Sequence, residues 1–353
     1  MNLFCKMISV VSLVILLDSC KKDKDPIFVA STGSQVELNG IAGAEPGSAA
    51  ANSVYLDLSA NKTTIAGRAS WDLGFYSGSD FRVIINNTAS ACAKVLAKND
   101  LTTVGAADTI GLALGFDPFN PLPAQLVFYD DIAGSLSGTV IPAVSATDAS
   151  NNVVILNRGT GGSIAARPWI KLRVLRNGNG YTLQYAGITE TTFRTLQIPK
   201  DDAYHFKFVS LTTNSFVEAQ PEKEKWDLEW TYSLYQSNFG MGLAPFNFAD
   251  LIAVNHLSNV QVKEKVYADA ATASAAYTAF NRDSVNNTTL VSGRWTIGSN
   301  WRSTQPATGA RLDRFYIIKD PGGNFYKLKC LSMGVGTDGG TRGKPQFKYD
   351  LIP

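Results

Sequence analysis

The chain has 353 residues, of which 18% are charged, with 30 glycines, 10% aromatics and a formal net charge of +2. That length gives room for two or three domains and a core that needs no covalent staples. The low charge argues against long polar helices, and the dispersed lysines and arginines form no basic stripe for nucleic acid.

Lys6 precedes an apolar run at residues 7–17 (MISVVSLVILL). The run falls short of the roughly 20 residues that span a bilayer and has the length of a signal-peptide core. Leu17-Asp18-Ser19-Cys20 then resembles a bacterial lipobox, although Asp18 stands where a small residue is usual. The expectation is a signal peptide over 1–19 and a lipidated Cys20, whose acyl chains anchor the protein to a membrane. Residues 20–52 read as the lipidated cysteine and a flexible tether rich in Gly, Ala, Ser and Pro. Cys92 and Cys330 remain after export, either paired in an oxidising compartment or as two buried thiols.

Ordered structure is expected from residue 53, where SVYLDLS fits a strand. WDLGFY at 71–76 and FRVII at 81–85 flank a Gly-Ser turn and predict a hairpin. Residues 88–98 fit a short helix or a strand pair. Residues 111–150 hold four prolines and read as a long loop with short strands such as 126–129. WIKLRVLR at 169–176 and YTLQYA at 181–186 enclose Asn177-Gly178-Asn179-Gly180, whose residues accept the positive φ of tight hairpin turns.

Residues 204–211 predict a strand. At 226–235, WDLEWTYSLY alternates, with Trp226, Leu228, Trp230, Tyr232 and Leu234 on one face. The alanine-rich stretch 268–280 predicts a helix. A second hairpin is expected at 313–331 about Asp320-Pro321-Gly322-Gly323-Asn324, and a closing strand at 346–352.

Landmarks recur in order. Trp71-Asp72-Leu73 matches Trp226-Asp227-Leu228, Asp100-Leu101 matches Asp250-Leu251, and Tyr181-Thr182-Leu183 matches Tyr326-Lys327-Leu328. The shared order predicts a tandem duplication with a join near residue 200, giving repeats over 53–200 and 201–353.

Enzyme signatures are scarce. There is no HExxH, paired CxxC, P-loop or post-strand GxGxxG, and His205 and His256 are the only histidines. His205 lies on the strand face opposite Tyr204 and Phe206 and reads as exposed. His256 follows a predicted strand end and reads as a cleft residue or a bonded loop histidine. Met241 sits between two glycines, either as a ligand or as a gap filler. Trp295 and Trp301, with Arg294 and Arg302, either form a stacking platform for a planar ligand or plug the core beneath a loop.

WDLGF, KWDLEW, the hairpin RFYIIKDPGGNFYKLKCLSM and the final QFKYDLI together resemble the HmuY family, apparently as two copies spanning residue 53 to the C-terminus. The resemblance implies an all-β fold of antiparallel sheets with one or two short helices. It also implies a non-catalytic lipoprotein on the cell-surface side of the outer membrane that binds haem and passes it to an outer-membrane receptor. Haem-binding relatives hold the iron between two histidines or methionines, side chains that suit it. The stretch 294–302, where one such ligand is expected, contains neither. The implied iron ligands here are His256 and Met241, with Trp295, Trp301 and Arg302 as stacking and charge contacts. Alternatives are a carbohydrate- or peptide-binding lipoprotein that has lost the haem site, or a structural partner of the receptor.

Overall fold

The computed structural model describes residues 29–115 and 117–353. The signal peptide and Cys20 lie outside them. The described chain is mostly antiparallel β-sheet, with one helix of ten residues at Ala270–Ala279 and a short one at Arg282–Asn286. The long helix starts where the sequence placed it, because Asp269 caps it by accepting the Thr272 N–H at 2.7 Å.

Each repeat supplies strands to two sandwiches. An edge strand (Gly33–Glu37), ahead of the expected start of the first repeat, and a leading hairpin (Asn52–Asp57 with Lys62–Gly67) precede the strand that opens after Trp71-Asp72 (Leu73–Tyr76). The same order recurs: Arg194–Ile198, just ahead of the expected second repeat, then Phe206–Ser210 with Ser215–Val217, then Leu228–Asn238 after Trp226-Asp227. Pairing crosses between the repeats. Leu73–Tyr76 pairs with Phe206–Ser210 of the second repeat, while Leu228–Asn238 pairs with Asn52–Asp57 of the first. The edge strands cross as well: Gly33–Glu37 pairs with Gln346–Ile352, at the end of the chain.

The first sandwich therefore packs the four-stranded sheet containing Leu73–Tyr76 on the five-stranded sheet from Cys92–Val95 to Arg194–Ile198. Its core includes Leu73, Phe75, Leu172, Leu183 and Val209. The second packs the sheet containing Leu228–Asn238 on the other five-stranded sheet, about Leu56, Trp230, Tyr326 and Phe347. Backbone bonds reinforce the exchange. The Asp72 N–H donates to Val209 O and the Asp227 N–H to Leu56 O, at 2.9 and 2.8 Å.

Several expectations need correction. Residues 29–52 are not all tether, since Gly33–Glu37 is a paired strand and Leu38 and Ala50 are buried in the second core. An edge strand is held by main-chain bonds along one side, so its composition gives weak signals. The stretch 126–129 is not a strand: Pro123 opens a 3-10 turn, Pro123–Phe128. Of the three landmark matches only the Trp-Asp-Leu pair is positionally equivalent. Leu101 lies in a 3-10 turn and Leu251 in a strand. Counted from the first strand of each five-stranded sheet, Tyr326-Lys327-Leu328 takes the place of Ile170-Lys171-Leu172.

The alternating face of 226–235 also breaks. Leu228 and Trp230 enter the core, but the register shifts between Thr231 and Ser233, and Leu234 joins a different cluster. A bulge places two residues against one and reverses the faces beyond it. Trp226 precedes the strand and packs edge-on against Tyr55 at 5.1 Å on the opposite side.

Cys92 and Cys330 are free and buried in separate clusters. Burial pushes the Cys92 thiol up to about 12, and it raises Cys330 well above the ordinary thiol range. Thiolate is the reactive form, so alkylation followed by site-resolved mass spectrometry should modify neither cysteine in the folded protein and both in denaturant. Rapid native labelling of either would contradict this packing.

Candidate functional site

Two equivalent turns build the site. Asn86 and Asn255 each follow a strand. Asn86 Oδ1 accepts the Ala89 N–H, and its Nδ2 donates to Arg68 O and Trp71 O at 2.7 and 2.8 Å. Asn255 Oδ1 accepts the Ser258 N–H, and its Nδ2 donates to Lys223 O and Trp226 O at 2.8 and 2.9 Å. Each turn ends on a left-handed residue, Ser90 at φ 58° or Asn259 at φ 57°. The turns thus hold the chain behind each Trp-Asp pair. They also bring Asn87 and His256, the residues after the two asparagines, to one cavity with Trp71 and Trp226.

That cavity, of about 80 Å³, lies where the repeats meet. It is far smaller than the roughly 300–1,000 Å³ of drug-sized ligand sites. One water needs about 10–15 Å³ of such space, so the cavity holds several waters or one small molecule. The segment 131–139 forms part of its wall.

Some wall groups are engaged. Asp130 accepts the Ile85 and Val140 N–H groups at 2.8 and 2.9 Å. Burial nevertheless pushes its carboxyl up to about 7. Asp131 Oδ2 accepts the Ser135 N–H at 2.9 Å. His256 Nε2 lies 3.2 Å from Gly134 O, and burial, aided by Arg294, holds the ring below its ordinary value. The Gly134 carbonyl can only accept, so Nε2 carries the proton of that contact, and Nδ1 lies 3.4 Å from Val254 O.

Other wall groups are open or only partly met. Trp226 Nε1 and Asn87 Oδ1 are buried with no hydrogen-bond partner among the described residues. The Arg294 guanidinium makes no hydrogen bond or ion pair among the described residues and lies 4.8 Å over the Trp295 ring. Glu229 is buried, with the Tyr55 hydroxyl at 3.3 Å. Burial raises its carboxyl, and nearby Arg294 opposes that shift. Orphaned buried polar atoms cost about 1–3 kcal/mol each unless water or a ligand meets them.

The expected ligand residues do not converge. His256 reaches the cavity, but Met241 is exposed in the turn at the far end of Leu243–Val254. Twelve residues of strand put it roughly 35 Å away, too far to share an iron with His256. Trp301 is fully buried, donates to Asp250 O at 2.9 Å and packs on Phe347, so it plugs the core. Arg302 is buried and bonds Asp250 O and Ala249 O, so neither residue offers an open stacking face. Trp295 is half-buried, with its N–H on Ile132 O at 2.6 Å. His205, expected to be exposed, is buried with Nε2 2.8 Å from Ser258 Oγ, and burial pushes it down to about 4. No group of three or more His, Cys, Asp or Glu among the described residues is arranged to hold a metal ion. No described helix is long and apolar enough to cross a membrane.

Asn87 and Glu229 were not singled out from sequence. Glu229 was legible only as the polar side of a strand, and that side turns out to face the other repeat.

Fold and site together define a two-repeat antiparallel β protein with a cavity at the junction of the repeats, walled by apolar side chains and a few polar groups. The chain belongs to the HmuY family. That family, described as HmuY protein, matches it twice, at residues 49–193 and 202–349. No curated protein and no solved structure matches it.

Proposed function

We propose that this chain is a non-catalytic binding protein of the haem-capturing kind, anchored through Cys20 at the outer surface of the outer membrane. Its ligand site is the cavity between the repeats. The observation that carries this reading is the pair of orphaned buried atoms, Trp226 Nε1 and Asn87 Oδ1, lining one cavity with the unpaired Arg294. His256 is tied to a backbone carbonyl rather than to a nucleophile, which favours binding over catalysis. An outer-membrane receptor is the proposed partner.

Haem is the ligand that family membership favours. Both histidines also meet at one turn, His256 within it and His205 on Ser258. For His256 to reach iron, Nε2 must release Gly134 O and segment 131–139 must move off the cavity. A visible-absorbance titration of the full chain with ferric and ferrous haem tests this. A saturable one-to-one Soret shift that is lost in His256→Ala is the expected result on the haem reading. A flat response removes haem and leaves a small ligand that fits the cavity as it stands.

A further inference from the structure

The groups of the cavity that are open or only partly met fall into two kinds. Arg294 and the Trp226 N–H are donors that favour negative charge. The orphaned Asn87 Oδ1, and Glu229 with one oxygen on the Tyr55 hydroxyl, are acceptors that favour a donor or positive charge. Arg294 and Glu229 do not pair with each other, although Arg294 acts on Glu229 through space. Two unlike charges facing one small cavity without touching are best satisfied by a molecule that carries both complements. The other two wall carboxylates, Asp130 and Asp131, are already held by backbone N–H groups.

We propose that the cavity binds a small zwitterion of the α-amino acid class. Its carboxylate meets the Arg294 guanidinium and the Trp226 N–H, and its ammonium meets the Glu229 carboxylate and Asn87 Oδ1. This rests on the binding role proposed above for the same cavity. A guanidinium and an indole N–H suit a carboxylate, since both donate and neither accepts. The volume of about 80 Å³ and the rings of Trp71 and Trp226 restrict the class to glycine and the smallest side chains.

Calorimetric titration of the full chain with glycine, L-alanine, acetate, methylammonium and glycolate tests the assignment. The expected result is saturable binding of glycine or alanine, with acetate and methylammonium each at least 30-fold weaker. Arg294→Gln and Glu229→Gln should each weaken glycine at least tenfold, and only Glu229→Gln should narrow the gap between glycine and glycolate. Trp226→Phe keeps the ring against Tyr55 while removing the N–H, so it carries the test if a charge variant fails to fold; a several-fold loss is expected. Acetate binding as tightly as glycine overturns the zwitterion class and leaves a binding cavity. No heat with any probe, together with a flat haem titration, overturns the binding role itself.

Discussion

Replacing Asp72 by asparagine should destabilise the protein by about 3–5 kcal/mol, whereas the same change at Asp227 should cost about 1 kcal/mol or less. The two aspartates occupy equivalent positions and each accepts one N–H from the other repeat, Leu211 for Asp72 and Leu58 for Asp227, both at 2.8 Å. Their surroundings differ. Asp72 holds Arg158 through two bonds of 2.8 Å and Arg167 through one of 3.0 Å, all largely buried. Arg158 also contacts Thr212 in the second repeat. Removing the carboxylate leaves two buried cations without a counter-charge. Asp227 is buried with no cation beside it among the described residues, and burial raises its carboxyl well above the usual range. Asparagine there keeps an oxygen for the Leu58 N–H. The sign with pH follows from linkage. A raised folded-state value means that stability is lost as pH climbs above about 4, where the unfolded carboxyl ionises. Asp227→Asn should therefore gain on the parent as pH rises. Equilibrium denaturation of both variants at two pH values checks this, and equal losses at the two sites would refute the assignment.

The second large effect concerns cutting the chain. Loop 188–193 lies between the last strand of the first repeat's own sheet, Gly180–Gly187, and Arg194–Ile198. Fragments 29–191 and 192–353, prepared separately, should each lack a cooperative unfolding transition as monomers. Mixed, they should recover one. Each fragment alone leaves its Trp-Asp strand without the hairpin that pairs with it, and a sheet edge beside a half-built core is poorly stable. Near-ultraviolet circular dichroism with gel filtration reads the result. Either fragment behaving as a cooperatively folded monomer would show that the hairpin exchange is dispensable.

The sequence made the strands legible and their partners illegible. Alternation places Leu228 and Trp230 inward, and Asn177–Gly180 marks its hairpin, because side-chain period and turn chemistry are local properties. Nothing local says that Leu56 lies opposite Leu228. Strands of one type pair through identical backbone groups, so partner choice depends on the whole fold. The site was legible in part for the same reason. His256 and Arg294 stood out by residue type. Trp71 and Trp226 are both buried in small apolar clusters, and both also line the cavity at the junction, which residue type alone does not show. Glu229 lies on the face opposite Leu228 and Trp230, and that face borders the other repeat, which no local signal shows. Met241 shows the converse error: closeness to a landmark strand in sequence does not survive a hairpin of this length.

The crossed pairing also sets a timetable. A chain emerging from its N-terminus can join Asn52–Asp57 to Lys62–Gly67 at once, but the third strand of that sheet arrives only with residues 228–238. Leu73–Tyr76 likewise waits for Phe206–Ser210. Until then its edge stands open, and open edges recruit whatever strand is near. Contacts between residues this far apart in sequence close slowly. Newly made protein should therefore be most vulnerable when its first half is present and its second is not, and a chain stopped near residue 200 should depend on chaperones far more than the finished one.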